Sequence, residues 1–454
     1  MTLQLDDDGA PAVRAPAPPR PGLRPLLWRL HFLGGFLAAP VVLSLALTGI
    51  LFAWNPQIEA VLHREALTAV AAGPDRTLGE QVTAARETRP AWSVATVVPA
   101  TNVTDGGEQT TAVTLSPPGG AAGEFGPAAG SVTVYVDPAS ARVTGEIAEA
   151  RRPGEWLRSL HSSWRLGPVA EPVTELAASW VLVSLLTGVY LWWPRRWRWL
   201  HSSIGMVLLV PLLALIGSGL SWTTYAGGWI DGARAELGST TPVVSTSLDG
   251  PGATAGHEGH ASRAGSVTGD NAVVDVSSNV DGISTTATRA GLPGQVAITP
   301  PAGPGEAWTV ARRDSRWPVE PTTVAIDPAT GTVLDRVSWA DYPLLAKATT
   351  LGIAFHQAEL FGLANQIGLT ALATGLIVLI LAGYRMWWLR RPVDGFGAAP
   401  PVGPLLRNAP VTVLLGLGLL LVLLPTLGVA FVLVLVLEQV VRAVRSRGGA
   451  DHAV

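Results

Sequence analysis

The sequence predicts a polytopic α-helical membrane protein made of two copies of one unit, each with a hydrophilic α+β domain. Three observations support this fold class. The 454-residue chain is 48% apolar and only 14% charged, and its mean hydropathy is positive, which is unusual for a soluble protein of this size. Four apolar stretches are long enough to cross a hydrocarbon core of roughly 30 Å. These stretches recur with matching residues at matching spacings, as duplicated membrane proteins do.

Composition also excludes several kinds of site. The formal net charge is −3, so no basic surface indicates a nucleic-acid partner. The chain has no cysteine, which excludes disulfides, thiolate catalysis and cysteine-ligated zinc or iron–sulfur centres within it. A redox centre would therefore need other ligands, and eight histidines are available.

The first repeated feature is a histidine at the head of an apolar span. His31 precedes 23 uncharged residues, 32–54, and His201 precedes a similar span in the second half. In both spans a hydroxyl-bearing residue and a glycine follow the histidine at 17 and 18 residues. These pairs are Thr48-Gly49 and Ser218-Gly219. The two spans therefore occupy equivalent places in the two copies.

The second repeated feature begins at His161 in the first copy and at His356 in the second. Each histidine is followed, at identical offsets, by two glycines, a tryptophan pair and an arginine pair. The matching residues are Gly167, Gly188, Trp192-Trp193 and Arg195-Arg196 in the first copy, and Gly362, Gly383, Trp387-Trp388 and Arg390-Arg391 in the second. The tryptophan pairs are typical of anchors at a membrane interface.

Basic residues predict the orientation of these spans. Arginines are retained on the cytoplasmic side, and they cluster in the N-terminal tail, in the loop 194–198 and after the fourth span. The N-terminus is therefore predicted to be cytoplasmic and both large loops to lie on the opposite side. This topology places His31 and His201 at the cytoplasmic end of the helices, and His161 and His356 at the outer end.

The large loops, 55–160 and 266–350, each show a short helical pattern followed by strand patterns and Gly-rich turns. Each loop also contains an Asp-Pro-Ala turn, at Asp137 and at Asp327, so each is predicted to be a small α+β domain. The predicted organisation is a disordered cytoplasmic tail (1–25), a helix (26–54), the first domain (55–160), two helices (161–196 and 197–225), a flexible linker (226–265), the second domain (266–350), a helix (351–391), a cytoplasmic loop (392–409), a hydrophobic hairpin or kinked helix (410–442) and a tail (443–454).

The four repeated histidines are the strongest candidates for chemistry. Each membrane face receives one histidine from each copy, and two imidazoles facing each other between helices can ligate a b-type haem. Two such sites, one near each face, would form a path for electrons across the membrane. The alternative is that the histidines are polar anchors at the interface. His257 and His260 are a weaker metal candidate within the linker, and Glu175 is either a proton or ligand contact or a helix-start carboxylate.

With these motifs the sequence resembles the PepSY-associated transmembrane family, also called iron-regulated membrane proteins. The matching motifs are LHxxxG…TG at 30–49, LHSSWRLG…TGVYLWWPRR at 160–196, LH…G…SG at 200–219 and FHQAELFG…AGYRMWWLRR at 355–391, together with the two Asp-Pro-Ala turns. The sequence departs from the family at Ser218, where threonine is frequent, and at Ala382.

The resemblance implies a multi-pass protein of the bacterial cytoplasmic (inner) membrane with two periplasmic PepSY domains. Members of the family act as ferric-siderophore reductases and bind haem b through membrane histidines. Carried over by position, the ligands of two haems would be His31, His161, His201 and His356. The implied substrate is a ferric siderophore or a periplasmic iron carrier, and the electron donor would be a quinol or a cytoplasmic reductase, because the inside loops are too short for a flavin or nicotinamide domain.

Two other functions remain open. In the first, the protein is not an enzyme, and its PepSY domains bind or regulate a periplasmic partner. The histidines would then be structural. A transporter is the third possibility, but the four spans lack the polar residues at mid-membrane that a transport site needs.

Overall fold

The computed structural model describes residues 23–101, 109–120, 127–193, 200–248, 275–314, 316–391, 406 and 409–450. Most of the predicted N-terminal tail, the basic loop after the second span, the second part of the linker (249–265) and most of the loop 392–409 lie outside these residues. The candidate histidines His257 and His260 also lie outside them.

The first copy contains seven helices and four strands among the described residues. The helices are α1 (Leu23–Leu37), α2 (Ala39–Ala53), α3 (Asn55–Leu62), α4 (Arg64–Leu67), α5 (Leu78–Glu87), α6 (Pro153–Ser163) and α7 (Glu171–Trp192). The strands are β1 (Ser93–Val98), β2 (Thr111–Ser116), β3 (Val132–Val136) and β4 (Val143–Ala148).

The second copy, with the C-terminal segment, follows the same order. Its helices are α8 (Leu200–Leu220), α9 (Thr224–Glu236), α10 (Val276–Arg289), α11 (Leu344–His356), α12 (Leu363–Arg390), α13 (Val411–Leu423) and α14 (Pro425–Ala450). Its strands are β5 (Val296–Thr299), β6 (Trp308–Arg312), β7 (Thr322–Ile326) and β8 (Val333–Ser338). The helix α9 occupies the beginning of the segment predicted as a linker.

Three described helices, α7, α8 and α12, are long and apolar enough to cross a membrane. Two more apolar stretches are bent helix pairs, which raise the number of spans to five if each pair counts as one. The pair α1–α2 bends by 56° and the pair α13–α14 by 120°. The chain is therefore a multi-pass membrane protein. The bend of the last pair lies at Leu424, next to the Pro425–Gly428 break that suggested a hairpin or a kinked helix.

Pro40 explains the bend in the first span, which the sequence pattern had suggested to be continuous. A proline within a helix cannot donate to the carbonyl four residues earlier, which here belongs to Phe36. The hydroxyl of Tyr384 in α12 donates to that carbonyl at 2.9 Å. The first span thus bends at the end of α1, and α12 supplies a hydrogen bond at the bend.

The strands of both copies form one antiparallel sheet, in the order β4-β3-β2-β1-β5-β6-β7-β8. Each loop contributes four strands, and β1 pairs with β5 through Val97 and Ile298. Both side chains are fully buried in a core that α5 and α10 cover. The two predicted α+β units are thus recognisable, but they share a single sheet, here called the sheet domain.

The helices of the bundle pack as two interlocked copies. Among the described helices, α1 packs on α7, α2 on α12, and α8 on both α7 and α12. The helices α2, α6, α8 and α11 meet next to the sheet domain, at what we call the sheet end of the bundle. The beginning of α1 and of α8 and the last turns of α7 and α12 lie at the opposite end, here called the far end.

The C-terminal segment packs against this bundle through two polar contacts. The side chain of Arg29 in α1 forms an ion pair with Glu438 in α14. The buried carboxylate of Glu175 in α7 accepts hydrogen bonds from the backbone amides of Tyr225 and Ala226, and from the hydroxyl of Thr426. Glu175 therefore binds the first amides of α9, where the helix dipole favours a negative charge.

Candidate functional site

The four repeated histidines lie in two pairs at opposite ends of the bundle. At the far end, the rings of His31 (α1) and His201 (α8) have centres 6.0 Å apart and planes at 86°. At the sheet end, the rings of His161 (α6) and His356 (α11) have centres 6.4 Å apart and planes at 76°. Each pair contains one histidine from each copy. These are the same pairs that the predicted topology places together at one end of the helices.

The sheet-end histidines reach the bundle because two short helices enter it ahead of α7 and α12. His161 lies near the end of α6, which packs on α2, and His356 is the last residue of α11, which packs on α8. Positive backbone φ angles follow both helices, at Gly167 (66°) and at Gly362 (55°). These glycines permit the turns that begin the next helix.

Every histidine packs against a glycine of a different helix, and the pattern is the same at all four positions. A Cβ atom built on that glycine would lie 2.9–3.5 Å from the Cε1 atom of the histidine. The pairs are His31 with Gly188, His161 with Gly49, His201 with Gly383 and His356 with Gly219. These glycines therefore provide the room that holds each ring against a neighbouring helix.

Hydrogen bonds fix the same ring nitrogen in all four histidines. In three of them the Nδ1 atom bonds a backbone carbonyl four residues before the contacting glycine: that of Ser184 (2.9 Å) for His31, Leu379 (2.9 Å) for His201 and Leu215 (3.1 Å) for His356. In His161 the Nδ1 atom bonds the hydroxyl of Thr48. A carbonyl oxygen only accepts hydrogen bonds, so Nδ1 carries the proton and Nε2 keeps its lone pair. Among the described residues no hydrogen-bond partner faces any of the four Nε2 atoms.

A hydroxyl next to the glycine contacts Nδ1 in three of the four histidines. Thr48 lies 2.9 Å from Nδ1 of His161, Thr187 lies 3.2 Å from that of His31, and Ser218 lies 3.2 Å from that of His356. Each hydroxyl donates its own proton to a helix carbonyl, so its oxygen can accept the Nδ1 proton. At His201 the equivalent residue is Ala382, which has no hydroxyl.

The spacing of the paired rings fits two axial ligands on one metal ion. Metal–imidazole bonds are about 2.0–2.1 Å, and the ring centre lies roughly 1.1 Å beyond the ligating nitrogen, so two coaxial ligands have centres about 6.2–6.4 Å apart. The observed 6.0 and 6.4 Å agree with this value. The described residues include no group of three or more His, Cys, Asp or Glu side chains able to hold a metal. A metal held here would therefore bring its other ligands with it, as haem iron does.

One aromatic side chain contacts the sheet-end pair, and three others cluster on α1 and α12, two helices of the far end. The indole of Trp222 lies 6.0 Å from the ring of His356. At the far end, Phe36 contacts Tyr384 and Trp387 at 5.3 and 5.0 Å between ring centres. These rings provide an apolar border of the kind that a flat organic cofactor requires.

The remaining sequence candidates have other surroundings. His63 lies in the turn between α3 and α4, outside both pairs, and Glu175 binds the amides of α9. From the sequence, Gly49, Gly188, Gly219 and Gly383 were identified as repeated residues without a named neighbour, and Thr187 was not identified as a contact of His31. The signal was present, because a small or hydroxyl residue precedes the glycine in all four spans.

A family model described as "PepSY-associated TM region" matches residues 28–390. This range includes all four histidines, all four glycines and the whole sheet domain, and it leaves out the C-terminal segment α13–α14. No curated protein matches the chain.

Proposed function

The chain belongs to the PepSY-associated TM family, and from this premise we propose that it is a haem b protein that carries electrons across the bacterial inner membrane to a ferric chelate. The observation that carries this proposal is the pair of histidine sites: four Nε2 atoms that have no hydrogen-bond partner in the described part of the chain, arranged two by two with ring centres at ligand spacing. The chelate is a ferric siderophore or iron held by a periplasmic carrier.

The residues of this chain have defined roles in the proposal. His31 and His201 hold one haem at the far end, and His161 and His356 hold the second at the sheet end. The carbonyl and hydroxyl contacts on Nδ1 fix each ring's tautomer and orientation, as outer contacts of metal-bound histidines do. The haem, when bound, supplies reversible one-electron chemistry that no side chain of this chain offers.

The two histidine pairs are spaced to connect the two membrane faces. His201 lies 17 residues before Ser218, the contact of His356, on the single helix α8. At a rise of about 1.5 Å per residue, the two sites lie roughly 25 Å apart along the helix, close to the thickness of the hydrocarbon core. Electrons received at the far end would thus leave at the sheet end.

The orientation follows from charge. Arg24 begins the first span at the far end, and Arg390 and Arg391 end the fourth span there; the positive-inside rule, which counts charges close to the ends of spans, assigns this end to the cytoplasm. The N-terminus is then cytoplasmic, and the sheet domain, with its two PepSY units, faces the periplasm. One electron from a quinol or a cytoplasmic reductase converts one Fe(III) to Fe(II), which the hard oxygen ligands of a siderophore bind more weakly.

The deciding experiment is an absorption spectrum of the full chain purified in detergent from haem-replete cells, oxidised and dithionite-reduced. We expect reduced b-type bands at about two haems per chain. Replacing His31 or His161 by alanine should each remove about one haem, because each pair would lose a ligand. His63→Ala, outside both pairs, should remove none.

The next measurement adds a ferric chelate to the reduced protein. Re-oxidation of the haem with formation of Fe(II) supports the reductase. A colourless protein would contradict it, and PepSY-mediated binding of a periplasmic partner would then be the better account of the sheet domain.

A further inference from the structure

A groove of about 560 Å³ is lined by residues of α2, α3 and α6, the helix that carries His161. Leu51, Ile58 and Leu62 form its apolar side, from the end of α2 and from α3. Trp156, Arg151 and Arg165 form the opposite side, on and around α6. The groove therefore combines an apolar floor with one exposed indole and two exposed guanidinium groups.

The charge of this groove is unbalanced. Four arginines lie close together around α6, and two of them are neutralised: Arg152 pairs with Glu149 and Glu59, and Arg158 pairs with Glu155. Arg151 and Arg165, the two that line the groove, pair with no carboxylate of the described chain. The groove thus presents two positive charges without a counter-ion from this part of the protein.

The position of Arg165 is fixed by a strained turn. Trp164 and Arg165 have positive φ angles of 47° and 61°, which cost free energy in residues other than glycine and occur at functional sites. The indole of Trp164 donates to the hydroxyl of Ser44 at 3.0 Å, which ties the turn to α2. The guanidinium of Arg165 lies 6.0 Å from the ring of Trp156, in the range of a cation–π contact.

The groove and the histidine pair share the helix α6. Leu157 lines the groove and lies four residues before His161, so the two side chains are one helical turn apart on the same face. Ala150, Arg151 and Pro153 of the rim come directly after β4 of the sheet domain. A water-soluble occupant can therefore approach from the sheet-domain side and come to rest next to His161.

We propose that this groove binds the ferric chelate, and that the chelate it selects is an anion with an apolar or aromatic periphery. This inference rests on the proposed function, because the occupant is the electron acceptor of the His161–His356 site. The two unneutralised arginines select negative charge, while Trp156 and the leucines bind the organic periphery of the complex. A tris-catecholate of Fe(III), with three negative charges, has this chemistry.

The test measures binding without electron transfer. The full chain is placed in nanodiscs of phosphatidylcholine, and the probe is the redox-inert gallium(III) tris-catecholate, measured by equilibrium dialysis. We expect saturable binding that weakens as salt rises, because the attraction is between partly exposed charges. The double variant Arg151→Gln/Arg165→Gln should bind about tenfold more weakly. Arg158→Gln, on the same helix but already paired with Glu155, is the matched control and should bind as the wild type does.

Equal binding by the wild type and the double variant would overturn the proposal. A second result would also overturn it: no chelate binding in phosphatidylcholine nanodiscs, together with stabilisation of the wild type, but not of the double variant, by phosphatidylglycerol. The groove would then hold a lipid headgroup. Haem content is measured in parallel. If the double variant contains haem and binds the chelate as the wild type does, only the proposed binding site is contradicted. A wild type without haem contradicts the proposed reductase function.

Discussion

The hydroxyl of Thr48 lies 2.9 Å from Nδ1 of His161, although 113 residues separate them in sequence. The equivalent position opposite His201 is Ala382, so one of the four histidines lacks this contact. An acceptor on Nδ1 makes an imidazole a stronger electron donor to a bound metal. In the proposed haem sites, each hydroxyl that contacts Nδ1 should therefore lower the reduction potential of the haem iron that its histidine ligates.

We therefore expect opposite shifts from two substitutions. Thr48→Val removes one acceptor and should raise the potential of the sheet-end haem, while Ala382→Ser adds one and should lower that of the far-end haem. A neutral hydrogen bond of about 1 kcal/mol corresponds to shifts of roughly 20–60 mV. A spectroscopic redox titration measures both haems. Thr350→Val, which removes a hydroxyl bonded only within α11, should shift neither, and equal shifts of both haems in the Thr48 variant would contradict this assignment.

Gly219 is predicted to be essential for the sheet-end site. A Cβ atom at this position would lie 2.9 Å from Cε1 of His356, closer than carbon atoms normally approach, so Gly219→Ala must displace the ring. We expect the haem content to fall from about two to about one per chain. The measurement is the haem-to-protein ratio of the purified variant.

Gly217, two residues earlier on the same helix, is the control. A Cβ atom there meets nothing within 4 Å, and alanine is the better helix former, so Gly217→Ala should keep both haems. Full haem content in the Gly219 variant would show that His356 does not need its present position.

Repeated spacings and arginine positions together assign each histidine to an end of the bundle, so the pairs could be predicted from the sequence. It could not show that each histidine packs on a glycine of another span. The spacings relate residues along one chain segment, whereas the contact of His31 with Gly188 joins two helices whose relative rotation depends on packing across the whole bundle. The repeated glycine could therefore be identified from the sequence, but the histidine that it contacts could not.

The same limit explains the sheet. Each loop predicts its own strands, because alternation and turn residues are local signals. The pairing of Val97 with Ile298 joins two edge strands from loops nearly 200 residues apart, and edge strands can pair with any exposed partner. Nothing local in either loop distinguishes two small sheets from one shared sheet.

The two Asp-Pro-Ala turns should differ in their contribution to stability. Asp137 is almost fully buried. Burial acts to raise its pKa, but hydrogen bonds from the amides of Ala71, Val70 and Ser140 outweigh it and lower the pKa to about 2. Asp327, at the equivalent turn, has a lowered pKa because Thr330 and the amide of Ala329 donate hydrogen bonds to it, but it is only partly buried and contacts no distant segment among the described residues through its carboxylate.

Asp137→Asn should therefore destabilise the protein by about 2 kcal/mol at pH 7, and Asp327→Asn much less. A carboxyl with a lowered pKa stabilises the fold above its unfolded pKa of about 3.9, and this contribution disappears as the pH falls from about 4 to 2. Thermal unfolding of the full chain in detergent at pH 7 and at pH 3 measures the effect. A difference between wild type and Asp137→Asn that does not shrink at pH 3 would contradict it.

The ion pair of Arg29 and Glu438 is predicted to hold the C-terminal segment on the bundle. Both side chains are largely buried, so removing one charge of this pair weakens the attachment of α14 to α1, by at most the roughly 3–5 kcal/mol that breaking a buried ion pair costs. Glu438→Gln should thus lower the thermal stability strongly. Replacing both partners, in Arg29→Met/Glu438→Leu, should cost much less than the sum of the single changes, because each single change already breaks the same ion pair.

A double-mutant cycle in detergent distinguishes this coupling from two independent effects. The control pair is Arg76 and Glu80, which are exposed at the start of α5 and should couple by about 0.3–0.5 kcal/mol. Additive losses at Arg29 and Glu438 would mean that the segment is held by apolar packing alone. Strong coupling would mean that α14, which lies outside the family match, is fixed beside α1, the helix that carries His31 two residues after Arg29. The C-terminal segment would then influence the far-end site through the position of α1.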